Sequence, residues 1–235
     1  MDLHGSRALI STLGALLLAV TGCDRPETPA VEMKAASVAA AVERTQLTSG
    51  PTSERFVAFS PDGSQLAFVS DRDGDPKLWT MPAEGGEATA LTDAQEFLVR
   101  PVWSPDGTRI AYVSDEEEPT NVWVVSTAGG APIRLTQDAG TVSDPQWSPD
   151  GITILYTNSL EGTSDLWTIP ADGGAATQLT TGGTSGGWAR WSPDGASIAF
   201  ISGQSGTQSV WVMPAGGGAA TSLTGDEGTD GQIEW

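Results

Sequence analysis

The side chains that most often perform nucleophilic, acid–base or metal chemistry are scarce in this chain. Its 235 residues include one histidine, His4, and one cysteine, Cys23, so residues 24–235 contain neither type. This excludes a Ser-His-Asp centre, a Cys-His centre and a zinc site built on His or Cys from that stretch. No Gly-x-Ser-x-Gly elbow, phosphate-binding glycine loop or dinucleotide fingerprint occurs in a fitting context. The sequence therefore predicts neither catalysis nor a cofactor within these residues.

Carboxylates are the remaining candidates for chemistry. Asp71, Asp73 and Asp75 alternate around Gly74 in a pattern that resembles a calcium loop, and Glu116–Glu118 occupy the matching loop 44 residues later. Calcium needs about six to eight converging oxygen ligands. The two further copies of this loop, at 158–162 and 202–206, are largely without acids. An ordinary solvated hairpin loop is therefore favoured, with calcium binding as the alternative.

These loops belong to a repeat with a fixed period. Ser-Pro-Asp-Gly starts at Ser60, Ser104, Ser148 and Ser192, at intervals of 44 residues. A period of about 40–45 residues is typical of a β-propeller blade with four strands. Because every copy carries the motif aspartate, we interpret it as a turn former and not as a catalytic group. Other residues keep the same spacing: an aromatic before each motif (Phe59, Trp103, Trp147, Trp191), a second tryptophan (Trp79, Trp123, Trp167, Trp211) and a Leu-Thr pair (Leu91, Leu135, Leu179, Leu223).

The strands of one unit can be read from residues 98–136. Short β-branched and aromatic runs (LVRPVW, RIAYVS, NVWVVS, PIRLT) are separated by Gly, Pro and Asp turns. The second and third runs are apolar almost throughout, which indicates strands covered on both faces. The recurring tryptophans are accordingly predicted to pack between blades. We predict an all-β protein: a β-propeller of four-stranded antiparallel blades with four complete repeats and partial strands at both ends.

The repeat phase continues beyond the four units. Leu47-Thr48 lies 44 residues before Leu91-Thr92, and Trp235 lies 44 residues after Trp191. The segment around Thr45–Thr48 is thus predicted to be a lone fourth strand, and Gln232–Trp235 a lone first strand. From this phase we expect a longer protein whose further repeats complete the propeller.

The N-terminal residues resemble an export signal. Arg7 precedes a largely apolar stretch, 8–20, that is too short to span a bilayer. It ends in Val-Thr-Gly-Cys, which resembles the lipobox of bacterial lipoproteins, so Cys23 is expected to be lipidated; an ordinary secretory signal is the alternative. The predicted organisation is a lipoprotein signal peptide over 1–22, a lipidated cysteine and flexible tether over 23–43, and the propeller over 44–235.

The charge balance is strongly acidic. Thirty Asp and Glu residues against eleven Lys and Arg give a formal net charge of −19. Such a surface argues against nucleic-acid binding and against a polybasic grip on anionic lipid. It favours a basic partner or cations, while solubility alone is an equal explanation.

Two of the units show a family resemblance. Residues 59–92, FSPDGSQLAFVSDRDGDPKLWTMPAEGGEATALT, and residues 103–136, WSPDGTRIAYVSDEEEPTNVWVVSTAGGAPIRLT, resemble the repeats of TolB-like propellers of bacterial envelopes. The resemblance covers about residues 44–235. It implies a propeller fold and a place in the cell envelope, facing the periplasm. It carries less information about function, because one fold hosts many activities.

Candidate recognition residues are those that vary at a fixed repeat position. Phe56, Arg100, Asp144, Trp188 and Gln232 each stand three residues before a phased aromatic, near the expected mouth of the central channel. Trp188 lies off the tryptophan phase, and Arg190 follows it. An exposed aromatic beside a cation would suit a peptide or partner protein; packing of Trp188 against the next blade is the alternative.

Three functions fit these observations. The favoured one is a lipid-anchored, periplasm-facing propeller that serves as a non-catalytic scaffold for an envelope protein or peptide. The second is the N-terminal propeller of a prolyl-oligopeptidase-type serine hydrolase whose catalytic domain would lie beyond Trp235. The third is a purely structural envelope lipoprotein.

Overall fold

The computed structural model describes residues 45–93, 98–115, 119–137, 140–183, 188–203 and 207–224, all within the compact unit Thr45–Trp235. In these ranges the regular structure consists of strands, and no helix able to cross a membrane is present. The predictions for 1–22, for the tether 23–43 with Cys23, for Glu116–Glu118 and for Gln232–Trp235 lie outside the described residues.

The strands form four antiparallel sheets, each with its strands in chain order. Blade 1 contains β1 (Glu54–Phe59), β2 (Gln65–Ser70), β3 (Lys77–Pro82) and β4 (Thr89–Ala90). Blade 2 contains β5 (Leu98–Trp103), β6 (Arg109–Ser114), β7 (Asn121–Ser126) and β8 (Ile133–Arg134). Blade 3 contains β9 (Thr141–Trp147), β10 (Thr153–Leu160), β11 (Thr163–Pro170) and β12 (Thr177–Gln178). Blade 4 contains β13 (Arg190–Trp191), β14 (Ser197–Ser202), β15 (Ser209–Pro214) and β16 (Thr221–Ser222).

This architecture confirms the all-β, four-stranded repeat. The strand boundaries of blade 2 coincide with the first three runs read from the sequence, whereas its fourth strand is only two residues long. Blade 3 differs from the prediction, because residues 158–160 belong to β10 and do not form a loop. Glu161 and Gly162 both have positive φ, 52° and 82°. Such a two-residue turn matches the strand twist and lets the hairpin extend.

The Ser-Pro-Asp-Gly motif closes the hairpin between the first and second strands of each blade. In blade 2, the Ser104 hydroxyl donates to Asp106 Oδ1 at 2.6 Å and accepts the Arg109 backbone N–H at 2.9 Å. The Gly107 N–H donates to the Ser104 carbonyl at 2.9 Å, and Gly107 has a φ of 71°, which glycine adopts without strain. The same contacts recur at the other three motifs. The motif aspartates are thus turn formers, as predicted.

The Leu-Thr pair joins the fourth strand to the third. In blade 2, Leu135 is buried, and the Thr136 hydroxyl accepts the Val122 backbone N–H at 3.0 Å. Thr92, Thr180 and Thr224 accept the equivalent N–H in their blades. In blades 1 and 2, where the leucine is buried, the two-residue strand is therefore held by an apolar contact and a side-chain hydrogen bond beyond its ladder.

Each pair of neighbouring blades encloses an apolar cluster. Between blades 1 and 2, Ala67, Val69 and Leu78 face Ile110 and Tyr112. Alternate residues of the same β6 strand, Ala111 and Val113, face blade 3. In blade 2, both faces of the two middle strands are buried, as their almost entirely apolar sequence predicted. Of the second tryptophans, Trp123, Trp167 and Trp211 belong to or pack against these clusters, whereas Trp79 lies in a cluster on the outer face of blade 1.

The two outermost faces are covered differently. On blade 1, Leu47 packs against a cluster that includes Phe68 and Trp79, and the Arg72 guanidinium lies 4.9 Å and 5.1 Å from their ring centroids. The prediction of a lone fourth strand at Thr45–Thr48 is wrong: residues 45–49 form no strand, since no neighbouring strand pairs with them there. On blade 4, Leu223 is 62% exposed, whereas Leu91 at the same repeat position is 7% exposed.

Acid should weaken the motif turns. The Ser104 hydroxyl and the Thr108 backbone N–H lower the pKa of Asp106 from 3.8 to about 2, and the Ser60 hydroxyl and Ser64 do the same for the pKa of Asp62. Because the folded pKa lies below the unfolded one, this stabilisation is present above about pH 4 and is lost as the pH falls towards 2. We expect the double variant Asp62→Asn/Asp106→Asn to be less stable than the parent in urea at pH 7, with the difference shrinking by pH 2.5.

The control for this experiment is Glu84→Gln, which removes an exposed carboxylate outside the motif turns. Its stability relative to the parent should stay nearly constant over the same pH range. A gap between the parent and the double variant that does not narrow on acidification would contradict the role assigned to the two carboxylates.

Candidate binding site on the inner strands

Four residues at one repeat position share an uncommon backbone conformation. The first strand of each blade lies innermost, with β5 in contact with both β1 and β9. On these strands or two residues before them, Phe56, Arg100, Asp144 and Trp188 have φ values of 55°, 54°, 53° and 75°. Residues other than glycine enter this region at a cost of roughly 1–2 kcal/mol. These are four of the positions selected from the sequence, and we call them the inner row.

A β-bulge produces this conformation. In blade 1, Arg55 pairs with Val69 and Ala58 pairs with Ala67, so two residues of β1 stand opposite one residue of β2. The same shift occurs in blades 2 and 3. An extra residue bends the strand and redirects its side chain. Pro101 and Pro145 follow the bulge residue, where the ladder is interrupted and a missing N–H costs no ladder hydrogen bond.

The side chains of the inner row meet across three blades. Arg100 of blade 2 forms an ion pair with Asp144 of blade 3. The Arg100 guanidinium carbon also lies 5.7 Å from the ring centroid of Trp188 in blade 4. The side chain of Arg100 is 47% exposed, so the ion pair and the cation–π contact each contribute at most about 1 kcal/mol. Their main effect is to gather a cation, an anion and an indole at one place.

This arrangement suits recognition. Phe56 and Trp188 remain 42% and 37% exposed, and the guanidinium and carboxylate between blades 2 and 3 are partly open to water. Large aromatics and arginine are the residue types that most often contribute strongly to protein–protein binding. Among the described residues of the row there is no nucleophile paired with a base. The inner row can offer stacking and charge–charge contacts to a ligand.

Two other groups of sequence candidates lie elsewhere. The Arg190 guanidinium donates to the Ala189 carbonyl at 2.9 Å, and the cation over Trp188 is supplied by Arg100. Asp71 accepts the Ser53 N–H at 2.9 Å, whereas Asp73 pairs with Lys77 at 2.5 Å. These two carboxylates thus have separate partners. In the described ranges no group of three or more His, Cys, Asp or Glu side chains is placed to hold a metal ion.

Sequence reasoning selected the inner row but missed its contacts. Arg100, Asp144 and Trp188 are successive members of one repeat phase, and opposite charges at successive members could have suggested the ion pair. The sequence contains one indirect indication of the left-handed backbone, which is the proline that directly follows both Arg100 and Asp144.

Comparison with known proteins identifies the repeat. The TolB beta propeller domain family matches residues 87–235. The chain belongs to this family. Among curated proteins, an uncharacterized peptidase, YuxL of Bacillus subtilis, is 52% identical over 46 residues, which are 19% of this chain and 7% of that protein.

Solved structures of TolB and of a hydrolase share the fold. The putative TolB from Agrobacterium tumefaciens has a TM-score of 0.61 at 24% identity, over 71% of this chain and 63% of that one. TolB from Acinetobacter baumannii gives 0.59 at 21% identity, over 77% and 47%. A puromycin hydrolase gives 0.62 at 18% identity, over 74% and 31%. The chain thus spans less than two thirds of each of these relatives.

The strain of the inner row can be tested at Phe56, whose ring is exposed. Because a left-handed backbone disfavours a Cβ atom but not glycine, Phe56→Gly should be more stable than Phe56→Ala by about 1 kcal/mol in urea denaturation. The neighbouring Val57, also exposed, has no positive φ and serves as the control. There the order should reverse, with glycine less stable than alanine by about 0.5–1 kcal/mol. The same order at both positions would contradict the strain.

Proposed function

We propose that this chain is a lipid-anchored, non-catalytic propeller of the bacterial cell envelope that binds a protein or peptide through the inner row. The observation that carries the proposal is the convergence of Arg100, Asp144 and Trp188 at one strained repeat position. Strained backbone of this kind persists where the surrounding structure imposes it, and it is concentrated at functional sites.

The contrast between repeated and varied positions supports this function. The turn residues are the same in every blade and serve the fold, whereas the inner row holds Phe, Arg, Asp and Trp in succession. A rigid scaffold that displays different side chains at equivalent places can recognise a partner by shape and charge. The net charge of −19 favours a partner with a basic surface. The proposal involves neither a cofactor nor nucleic acid.

The cellular placement rests on the family and on the N-terminal sequence. The chain belongs to the TolB beta propeller domain family, and Val-Thr-Gly-Cys at 20–23 fits a lipidation site. We place the propeller on the periplasmic side of an envelope membrane, tethered through Cys23.

Lipidation can be tested directly. Cells that express the chain and are fed a clickable palmitate analogue should label the wild-type protein, and Cys23→Ser should abolish the label. The wild type should fractionate with membranes and the variant with soluble protein. An unlabelled wild-type chain whose Cys23 is found in the secreted protein would contradict the anchor.

The binding function calls for a retention experiment with matched variants. The immobilised chain should retain an envelope protein or peptide, identified by mass spectrometry, and Arg100→Ala or Trp188→Ala should lower the retained amount about tenfold or more. Ile152→Ser, which alters an exposed apolar residue in a motif turn of blade 3, is the control and should retain the same partner. Equal retention by all four proteins would show that the inner row is not the site.

A second function is favoured by the structural similarity to a puromycin hydrolase, of which this chain covers 31%. The propeller would then admit or exclude substrate for a hydrolase domain encoded after Trp235. A Gly-x-Ser-x-Gly elbow followed by Asp and His in the sequence downstream would favour this function over the scaffold.

A further inference from the structure

One arginine of this chain fills a groove between two blades. On the edge formed by the motif turns, the Arg109 guanidinium lies over the Trp147 ring, with its carbon 4.7 Å from the ring centroid. It also donates to the Gly151 carbonyl at 2.9 Å and to the Asp172 carboxylate at 2.7 Å. Asp172 is 92% exposed, so its ion pair contributes little. The indole face and the glycine carbonyl are the principal parts of this cradle.

The repeat builds the same cradle between blades 3 and 4. Trp191 and Gly195 stand 44 residues after Trp147 and Gly151, and both line a groove of about 350 Å³. The position of Arg109 is taken there by Thr153, which also lines the groove and is too short to cover the indole. Consistently, Trp191 is half-buried, whereas Trp147 beneath its arginine is buried.

The carboxylates of this second groove also have no cation comparable to Arg109 among the described residues. Asp150 and Asp194 line it, and each accepts a serine hydroxyl and a backbone N–H through Oδ1. Among the described residues, the Oδ2 atom of neither carboxylate has a hydrogen-bond partner. In the filled groove, the equivalent Asp106 lies close enough to Arg109 for the guanidinium to contribute to its lowered pKa. Among the described residues, no cation contributes in the same way to the lowered pKa of Asp150.

The groove between blades 1 and 2 is a poorer cradle. Gln65 stands at the position of Arg109 and lines a space of only about 170 Å³ beside Trp103. Of the three equivalent grooves, one is filled by an arginine, one is narrowed by a glutamine, and one is left open by a threonine.

We propose that the groove between blades 3 and 4 binds the guanidinium group of an arginine side chain carried by a partner protein or peptide. A planar guanidinium can stack on Trp191 and donate to the Gly195 carbonyl, as Arg109 does with Trp147 and Gly151 in the preceding groove. Gly216 stands in place of Asp172 here, and Asp150 and Asp194 supply the negative charge. A lysine ammonium lacks the planar face and the forked donors that this geometry uses. This groove uses Trp191, whereas the inner row uses Trp188, and it lies at the ends of the first strands where the motif turns are. The proposal is therefore independent of the proposed function.

The test follows the indole N–H signals of the ¹⁵N-labelled chain by NMR during titration with N-acetylarginine amide. The Trp191 signal, assigned through Trp191→Phe, should shift saturably. N-acetylcitrulline amide keeps the shape but loses the charge and should bind about tenfold or more weakly. An unmoved Trp191 signal, or equal shifts with the two probes, would overturn the proposal.

Two reciprocal variants exchange the contents of the grooves. Thr153→Arg supplies a built-in guanidinium and should abolish the Trp191 response, while an unchanged Trp188 signal reports that the blades remain folded. Arg109→Thr empties the groove between blades 2 and 3 and should add a saturable response at Trp147. If the Trp191 response persists in folded Thr153→Arg, or Trp147 stays silent in folded Arg109→Thr, the cradle is wrongly assigned. Arg109→Thr tests the same cradle even if Thr153→Arg does not fold.

Discussion

A sheet that is apolar on both faces is stable in water only when other groups cover both of them. The middle strands of blade 2 are built in that way, and one blade cannot bury both faces of such strands alone. This constraint explains why side chains alternate along β6 between the cluster shared with blade 1 and the cluster shared with blade 3. The outer face of blade 1 meets this constraint through Leu47 and Arg72, whereas Leu223 on blade 4 is exposed.

The stacking of the blades also determines where a strained backbone conformation can persist. The motif turns lock one end of each innermost strand through the serine and aspartate hydrogen bonds. The second strand fixes the other end in register, so the residue between them is forced into the bulge. A left-handed Arg100 or Asp144 would relax in an isolated hairpin, but here the neighbouring blades over-determine its backbone. The candidate site is thus a by-product of the architecture that each blade shares, varied only in its side chains.

The repeat made most of the fold predictable, and particular residues show where prediction stopped. Strand types and turns followed from the Ser-Pro-Asp-Gly spacing, because those hydrogen bonds are local and need no knowledge of distant residues. The third blade differs from the prediction because Glu161 and Gly162 form a two-residue turn. This turn is a local feature of one blade, and the pattern shared by all repeats does not show it. Residues 45–49 formed no strand because a strand is defined by its neighbour and not by its own sequence. The repeat spacing predicted the positions of the inner row. It did not predict the ion pair, because that contact joins side chains of two different blades.

Gln65, Arg109 and Thr153 occupy the same repeat position on the edge formed by the motif turns, and they differ in how far they fill the groove beside them. One position of the 44-residue unit decides whether a groove is self-occupied or open to another molecule, and the rest of the cradle is supplied by the repeat itself. A protein built in this way can change which grooves it presents by single substitutions that leave the core untouched. Duplication of a blade would copy the cradle together with the blade. A later substitution at this one position would then give each copy its own binding specificity.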